Sequence, residues 1–161
     1  YIVSDTMNLW IDLCPIKVKE VIVKSDIFLI NHEEAFQFTG SNDIEASARQ
    51  FRSIGPKVVI IKMGADGAYL SLKGSGVYIP AFPVEKVIDP TGAGDSFAGG
   101  FMGRLAMQDE PDYLAAVLSG SAIASYCVEN FGPESLLKIT KDDLNGRIAT
   151  IKDSLFIEGG I

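Results

Sequence analysis

Histidine and cysteine are scarce in this 161-residue sequence, and their scarcity excludes several kinds of site. The single histidine, His32, excludes a histidine-rich zinc site and any Ser-His-Asp triad built on another histidine. Two cysteines, Cys14 and Cys127, are too few for a disulfide scaffold. Because both lie among apolar residues, we expect buried free thiols in a reducing cytoplasm.

Positive charge and long hydrophobic runs are also lacking. The chain has 14 Lys and Arg against 21 Asp and Glu, and its net charge of −7 argues against nucleic acid or an anionic membrane as a partner. Its longest uncharged run, residues 113–128, is shorter than the roughly 20 residues of a membrane span. With 47% hydrophobic and 22% charged residues, the composition is that of a soluble globular domain, and residues 113–128 are predicted to form a buried helix.

The order of the apolar segments predicts an α/β layered fold with a mostly parallel sheet flanked by helices. Predicted strands cover residues 1–5, 26–30, 57–63, 68–72 and 77–80, and predicted helices cover residues 15–24, 31–40, 43–54, 94–107, 112–128 and 142–155. Residues 5–10 are predicted to be a loop. Ligands bind beyond the carboxyl ends of the strands in such sheets. We therefore expect residues 31–34, 62–67 and 89–95 to meet at that edge.

The segment around Gly92 has the features of an anion-binding turn. Gly92, Ala93 and Gly94 bring a nearly bare backbone to the start of a predicted helix, where amides lack partners and the helix dipole favours negative charge. Asp95 adds a carboxylate that suits proton transfer. No GxxxxGK[ST] occurs, and Phe97 occupies the third glycine position of a GxGxxG frame. The alternative is an ordinary capped helix.

Two further segments each allow a structural and a functional interpretation. Asn31 followed by Glu34 fits a helix capping box as well as a polar site. The glycines Gly64 and Gly67, which follow Lys62, fit a tight turn between strands as well as a close backbone approach to a nucleotide. Residue types alone do not separate these alternatives.

The whole string from Asp89 to Phe101, DPTGAGDSFAGGF, closely resembles the C-terminal signature of the ribokinase/PfkB family of carbohydrate and nucleoside kinases. The Asn31–Glu34 segment resembles the NxxE motif of that family. The Lys62–Gly67 segment resembles its nucleotide-binding turn, in which many members have Thr or Ser where Lys62 stands. The resemblance implies a layered ribokinase-like fold and the transfer of the γ-phosphate of ATP to a hydroxyl of a sugar or nucleoside.

The resemblance also implies roles for individual residues. Asp95 is implied as the catalytic base, and the amides of Gly92, Ala93 and Gly94 as the anion hole. The implied nucleotide contacts are Asn31, Lys62, Gly64, Gly67 and Ser119, and the implied metal ligands are Glu34 for Mg²⁺ and Asp89 and Thr91 for a monovalent cation such as K⁺. Three alternatives stay open. Glu33 competes with Glu34, Lys62 could be a solvated strand end, and the small residues around Ser119 could serve helix packing. His32 is expected in a loop near the phosphates or on the polar surface.

The resemblance covers the nucleotide-side half of the family fold. We expect residues 1–161 to be the C-terminal nucleotide-binding and catalytic part of a longer cytoplasmic protein, with the sugar-binding half and lid absent and a homodimer as the assembly of the full-length form. Asp5 and Asn8 are the candidate substrate contacts within this sequence. The competing class is a non-catalytic nucleotide-binding or regulatory module.

Overall fold

Strands rich in Ile, Val and Leu build one five-stranded mixed sheet in the computed structural model, which describes residues 1–158. In the order in which they lie, the strands are β1 (Val3–Ser4), β2 (Ile27–Asn31), β3 (Val58–Lys62), β4 (Ala68–Leu72) and β5 (Ser75–Ile79). Strands β1, β2 and β3 are parallel, and β4 is antiparallel to β3. The α/β prediction is confirmed, and the sheet combines three parallel strands with a hairpin.

The chain divides into two compact units. The first comprises residues 1–64 and 68–78, and the second comprises residues 65–67 and those that follow residue 78. The first unit contains nearly all of the sheet and the helices α1 (Asn8–Leu13), α2 (Pro15–Lys24), α3 (His32–Thr39) and α4 (Ile44–Ile54).

Local sequence signals account for the helix boundaries in the first unit. Asp43 caps α4 by accepting a hydrogen bond from the backbone N–H of Ala46 at 2.7 Å. Helix α3 ends at Gly40, which has the left-handed conformation (φ +71°) that glycine adopts without a side-chain penalty. Pro15 begins α2, where its missing N–H is not needed.

The core of the first unit lies between the sheet and its helices. The side chains of Phe28 and Ile30 on β2 and of Val59 and Ile61 on β3 share one face with helical residues such as Phe51. Residues on the opposite face of the two strands, including Leu29 and Ile60, are also fully buried. Burial of both faces explains why β2 and β3 are continuous apolar runs without polar alternation.

The second unit is mainly helical. It contains α5 (Ala93–Leu105), α6 (Tyr113–Cys127), a short 3₁₀ turn (Leu136–Lys138) and α7 (Lys141–Glu158). Helices α5 and α6 approach closely because Gly100 faces Gly120, so that a methyl group built on Gly100 would lie 3.0 Å from the Cα of Gly120. Residues 113–127 form the buried helix that their composition predicts. In the described part of the chain, no helix is long and apolar enough to cross a bilayer.

Two expectations for the start of the chain are wrong. The segment predicted as a loop contains α1, which begins at Asn8. Its six residues are too few for apolar periodicity to reveal a helix. Cys14 is exposed, whereas Cys127 is buried as predicted. Cys14 lies at the junction of α1 and α2, and its apolar sequence neighbours, including Leu13 and Ile16, are themselves exposed.

Candidate functional site

Two of the predicted segments lie side by side at the carboxyl ends of the parallel strands. Asn31 is the last residue of β2 and Lys62 is the last residue of β3, and the two are paired in the register of the sheet. The segments 31–34 and 62–67 therefore begin at the same edge of the sheet, as expected. Residues 89–95 belong to the second unit and follow an irregular segment rather than a strand.

Asn31 and Glu34 form a capping box at the start of α3. The Oδ1 atom of Asn31 accepts a hydrogen bond from the N–H of Glu34 at 2.8 Å, and Oε2 of Glu34 accepts one from the N–H of Asn31 at 3.2 Å. Glu34 is only 7% exposed. The structural interpretation of this motif is therefore realised, and it fixes a buried carboxylate at the edge of the sheet.

The surroundings of Glu34 raise its pKa overall. Burial raises the pKa of Glu34 above its ordinary value, the backbone N–H of Asn31 lowers it, the Asp5 carboxylate raises it and the Lys62 ammonium lowers it. One interacting cluster thus forms from Asp5 after β1, Lys62 at the end of β3 and Glu34 in the helix after β2. No group of three or more His, Cys, Asp or Glu side chains suited to a metal occurs within residues 1–158.

Lys62 is neither a free phosphate ligand nor a solvated strand end in this structure. Its ammonium forms an ion pair with the carboxylate of Asp5, and the side chains are 15% and 28% exposed, respectively. Nothing in the sequence links Asp5 to Lys62, because 57 positions lie between them. The only available signal was that each directly follows or ends an apolar strand.

The turn after β3 requires both of its glycines. Gly64 and Gly67 have φ values of +61° and +94°, and residues 64–66 form a single 3₁₀ turn. A methyl group on Gly67 would lie 2.0 Å from the carbonyl oxygen of Ile79. The close backbone approach at Gly67 is therefore to the chain itself, as the tight-turn alternative requires.

The start of α5 presents unpaired amides. Gly92 is the N-cap with φ +79°, and no side chain caps the helix. The N–H of Ala93 donates to the carbonyl of Pro90 at 3.2 Å, whereas the amides of Gly92, Gly94 and Asp95 donate to no acceptor in the described chain. We call Gly92–Gly94 the anion cradle. The set of unpaired amides differs from the predicted set, because it contains the amide of Asp95 and lacks that of Ala93.

Asp95 lies in the first turn of α5 and is exposed to solvent. Its carboxylate makes no hydrogen bond or ion pair within residues 1–158, and it is therefore accessible to a reacting hydroxyl. A cradle of unpaired amides next to an accessible carboxylate can hold an anion and accept a proton at the same place.

Residues 88–91 lead into the anion cradle and are fixed by hydrogen bonds. The Oδ1 atom of Asp89 accepts a hydrogen bond from the N–H of Thr91 at 2.9 Å. Hydrogen bonding by the Thr91 side chain, together with this backbone contact, lowers the pKa of Asp89 below its ordinary value. The carbonyl of Val128 accepts hydrogen bonds from Ile88 and Asp89 at 2.7 and 3.2 Å. The Cys127 thiol donates to the carbonyl of Thr91 at 3.4 Å. Asp89 and Thr91 are thus hydrogen-bonded to each other.

Ser119 lies within α6 and is 5% exposed. Its neighbour Gly120 is packed against α5, where a methyl group on Gly120 would lie 2.7 Å from the Phe97 carbonyl. These contacts agree with the interpretation that the small residues around Ser119 serve helix packing. His32 is the first residue of α3 rather than part of a loop, and its buried Nδ1 atom has no hydrogen-bond partner in the described chain.

The model of the pfkB family of carbohydrate kinases matches residues 4–140, which is most of this chain. The chain belongs to the pfkB family. It is 32% identical over 129 residues to a ribokinase of Staphylococcus aureus, covering 76% of this chain and 41% of the relative. It is 39% identical over 87 residues to a cytidine kinase of Thermococcus kodakarensis, covering 53% of this chain and 31% of that enzyme.

Solved structures of this family share the fold. The aminoimidazole riboside kinase of Salmonella enterica, crystallised with aminoimidazole riboside and an ATP analogue, matches with a TM-score of 0.78 and 26% identity. The match covers 92% of this chain and 52% of that chain. This pfkB-family chain thus spans about half of that structure, and less than half of the two relatives described above.

Proposed function

We propose that this chain supplies the nucleotide side of an ATP-dependent kinase that phosphorylates a hydroxyl of a sugar or nucleoside in the cytoplasm. The observation that carries the proposal is the anion cradle at the start of α5, with the exposed carboxylate of Asp95 in the same helical turn. Membership of the pfkB family supports the reaction class. The names of the relatives support a sugar, a sugar acid or a nucleoside as the acceptor, because they include a ribokinase, a fructokinase, a 2-dehydro-3-deoxygluconokinase and two nucleoside kinases.

In the proposed reaction, the acceptor oxygen attacks the γ-phosphorus of ATP. The bond between the γ-phosphorus and its bridging oxygen breaks, and ADP leaves with that electron pair. Asp95 takes the hydroxyl proton, while the amides of Gly92 and Gly94 stabilise negative charge on the phosphates. Positioning and charge stabilisation supply most of the acceleration in a loose phosphoryl-transfer transition state.

Glu34 is the proposed Mg²⁺ ligand, acting through water, with Asn31 facing the phosphates. A single buried carboxylate suits Mg²⁺, which takes oxygen ligands and keeps several of its waters. When bound, Mg²⁺ would neutralise charge on the phosphate oxygens. Asp89 and Thr91 are proposed for a monovalent cation such as K⁺. The hydrogen bond between Thr91 and Asp89 supports this choice, because it holds a carboxylate oxygen beside Thr91.

Lys62, Gly64, Gly67 and Ser119 remain proposed contacts on the nucleotide side. For Lys62, contact with a phosphate requires its ammonium to leave Asp5. The glycines would leave the backbone of the turn open to a nucleotide on the side away from Ile79. Ser119 is proposed beside the adenine base, although its burial in α6 leaves little of it accessible.

The test is ADP release by the full-length protein with Mg²⁺ and ATP. Ribose, fructose, cytidine, aminoimidazole riboside and 2-dehydro-3-deoxygluconate are the acceptors. Acceptor-dependent ADP release that Asp95→Asn abolishes is the expected result. ATP binding without acceptor-dependent turnover would overturn the proposal and favour a non-catalytic nucleotide-binding module.

A magnesium titration of the same reaction tests Glu34. Glu34→Gln should need a higher Mg²⁺ concentration for half-maximal rate. Glu33→Gln is the matched control, because Glu33 lies in the same first turn of α3 and is exposed. A shift in the Glu33 variant alone would assign the metal to Glu33.

A further inference from the structure

Arg147 of α7 is held by four partners in the second unit. Its guanidinium donates to Oγ of Ser125 at 2.8 Å and to Oε2 of Glu129 at 2.6 Å. The same group lies 3.4 Å from the ring centre of Tyr126 and 4.3 Å from that of Phe82. The Arg147 side chain is only 13% exposed, so these contacts are well shielded from solvent.

Three of the four partners belong to the end of one helix. Ser125 and Tyr126 lie in the last turn of α6, and Glu129 follows its C-cap, Val128. The final carbonyls of a helix lack intrahelical partners, and a cation near that end is favoured by the helix dipole. Arg147 therefore ties this helix end to α7, and we call residues 125–129 the α6 end.

The α6 end also contacts the segment that leads into the anion cradle. The carbonyl of Val128 accepts the N–H groups of both Ile88 and Asp89, and the Cys127 thiol contacts the carbonyl of Thr91. Gly92 is the next residue along the chain and is the N-cap of α5. A methyl group on Gly92 would lie 3.8 Å from the Cys127 sulfur, so the α6 end lies directly behind the cradle.

We propose that Arg147 is a positioning residue for phosphate binding, acting through the α6 end on residues 88–92. No contact with the nucleotide is required of it. When Arg147 is removed, Glu129 loses its ion pair, Tyr126 and Phe82 lose the cation between them, and the α6 end loses its contacts with α7. Displacements of about 1 Å at a phosphate site reduce phosphoryl transfer strongly.

The first test is kinetic, and it rests on the proposed kinase function. At a temperature at which every variant is fully folded, Arg147→Met should lower kcat/KM for ATP by about ten- to hundredfold, the range of a 1 Å misplacement. Arg147→Lys should recover part of the loss, because it retains the charge opposite Glu129. Lys152→Met, an exposed substitution on the same helix, should match the wild type. A folded Arg147→Met variant with kcat/KM for ATP within about twofold of wild type would overturn the proposal.

Amide hydrogen exchange forms the second test and needs no activity. Glu129→Gln keeps the Ser125 contact and both rings, so it should fold even if Arg147→Met does not. The expected result is faster exchange at Ile88 and Asp89, beyond any change at Phe101 inside α5. Equal changes at all three amides, or none, would overturn the positioning role. Faster exchange at Ile88 and Asp89 in a protein without kinase activity would support the positioning role and contradict the proposed function.

Discussion

The ammonium of Lys62 and the carboxylate of Asp5 form an ion pair above the carboxyl end of β2. Strand β2 lies between the strands that carry the two residues, and its own last residue is Asn31. The pair therefore spans the strand that leads into the Asn31–Glu34 capping box. The negative charge of Asp5 and the positive charge of Lys62 both act on the pKa of Glu34.

The pair should control the titration of Glu34 in opposite directions. Because the Asp5 charge raises the pKa of Glu34, Asp5→Asn should lower it, and because the Lys62 charge lowers that pKa, Lys62→Met should raise it. Carbon-detected NMR titration of the Glu34 carboxyl measures both. Lys57→Met removes an exposed cation just before β3 and serves as the control. A Glu34 pKa that moved in the same direction in the Asp5 and Lys62 variants would contradict this assignment.

Glu34→Gln should change the pH dependence of stability. The pKa of Glu34 is raised in the folded protein, so the native state binds its proton more tightly than the unfolded chain. This contribution to stability is complete at low pH and is lost as pH rises through the folded pKa. Gln stays neutral and can still accept the Asn31 N–H through its oxygen. The stability of the Gln variant relative to wild type should therefore rise as the pH increases above the ordinary glutamate pKa of 4.5.

Urea unfolding at a series of pH values measures this difference. Glu33→Gln provides the control at an exposed position of the same helical turn, and its difference from wild type should vary less with pH. A pH-independent difference between Glu34→Gln and wild type would show that burial does not raise the pKa of Glu34.

Asp95→Asn should separate catalysis from nucleotide binding. If Asp95 accepts the acceptor proton, the variant should lose about 10²- to 10⁴-fold in kcat. Its affinity for ATP should change little, because the backbone amides of the cradle remain. Calorimetric ATP binding and steady-state rates measure the two effects. Asp109→Asn removes an exposed carboxylate from the same unit and should leave both unchanged. Near wild-type turnover by Asp95→Asn would remove Asp95 from the mechanism.

Glycines on α5 should respond in opposite ways to substitution by alanine. A methyl group on Gly100 would lie 2.9 to 3.1 Å from atoms of Ile123, Gly120 and Ser119, whereas one on Gly99 would meet nothing within 4 Å. Gly100→Ala should therefore destabilise by about 1–3 kcal/mol through overpacking. Gly99→Ala should stabilise by about 0.5–1 kcal/mol through helix propensity.

Thermal or urea unfolding of the two glycine variants gives the comparison. Gly103→Ala is a second open position on the same helix and should behave like Gly99→Ala. If Gly100→Ala were as stable as wild type, close packing would not explain the small residues near Ser119, and the adenine-pocket role of Ser119 would gain support.

Several parts of the site follow from local sequence. The Asn31–Glu34 spacing predicts a capping box, and the structure contains it. The glycines of residues 64–67 predict a tight turn, which is also present. Local signals succeed here because each involves residues within one or two turns of the chain. They failed at α1, where six residues carry too short a pattern, and at Ala93, whose amide is bonded to Pro90.

The sequence by itself determined the α/β layering, the buried α6 and the kinase signature at residues 89–101, because periodicity and a contiguous motif are written along the chain. Tertiary structure alone decided the Asp5–Lys62 pair, the steric need for Gly67 beside Ile79 and the contacts of Arg147 with the α6 end. Asp5 and Lys62 are 57 positions apart, and parallel strand pairing brings their ends to one edge. Such contacts depend on how distant elements pack, which no local pattern encodes.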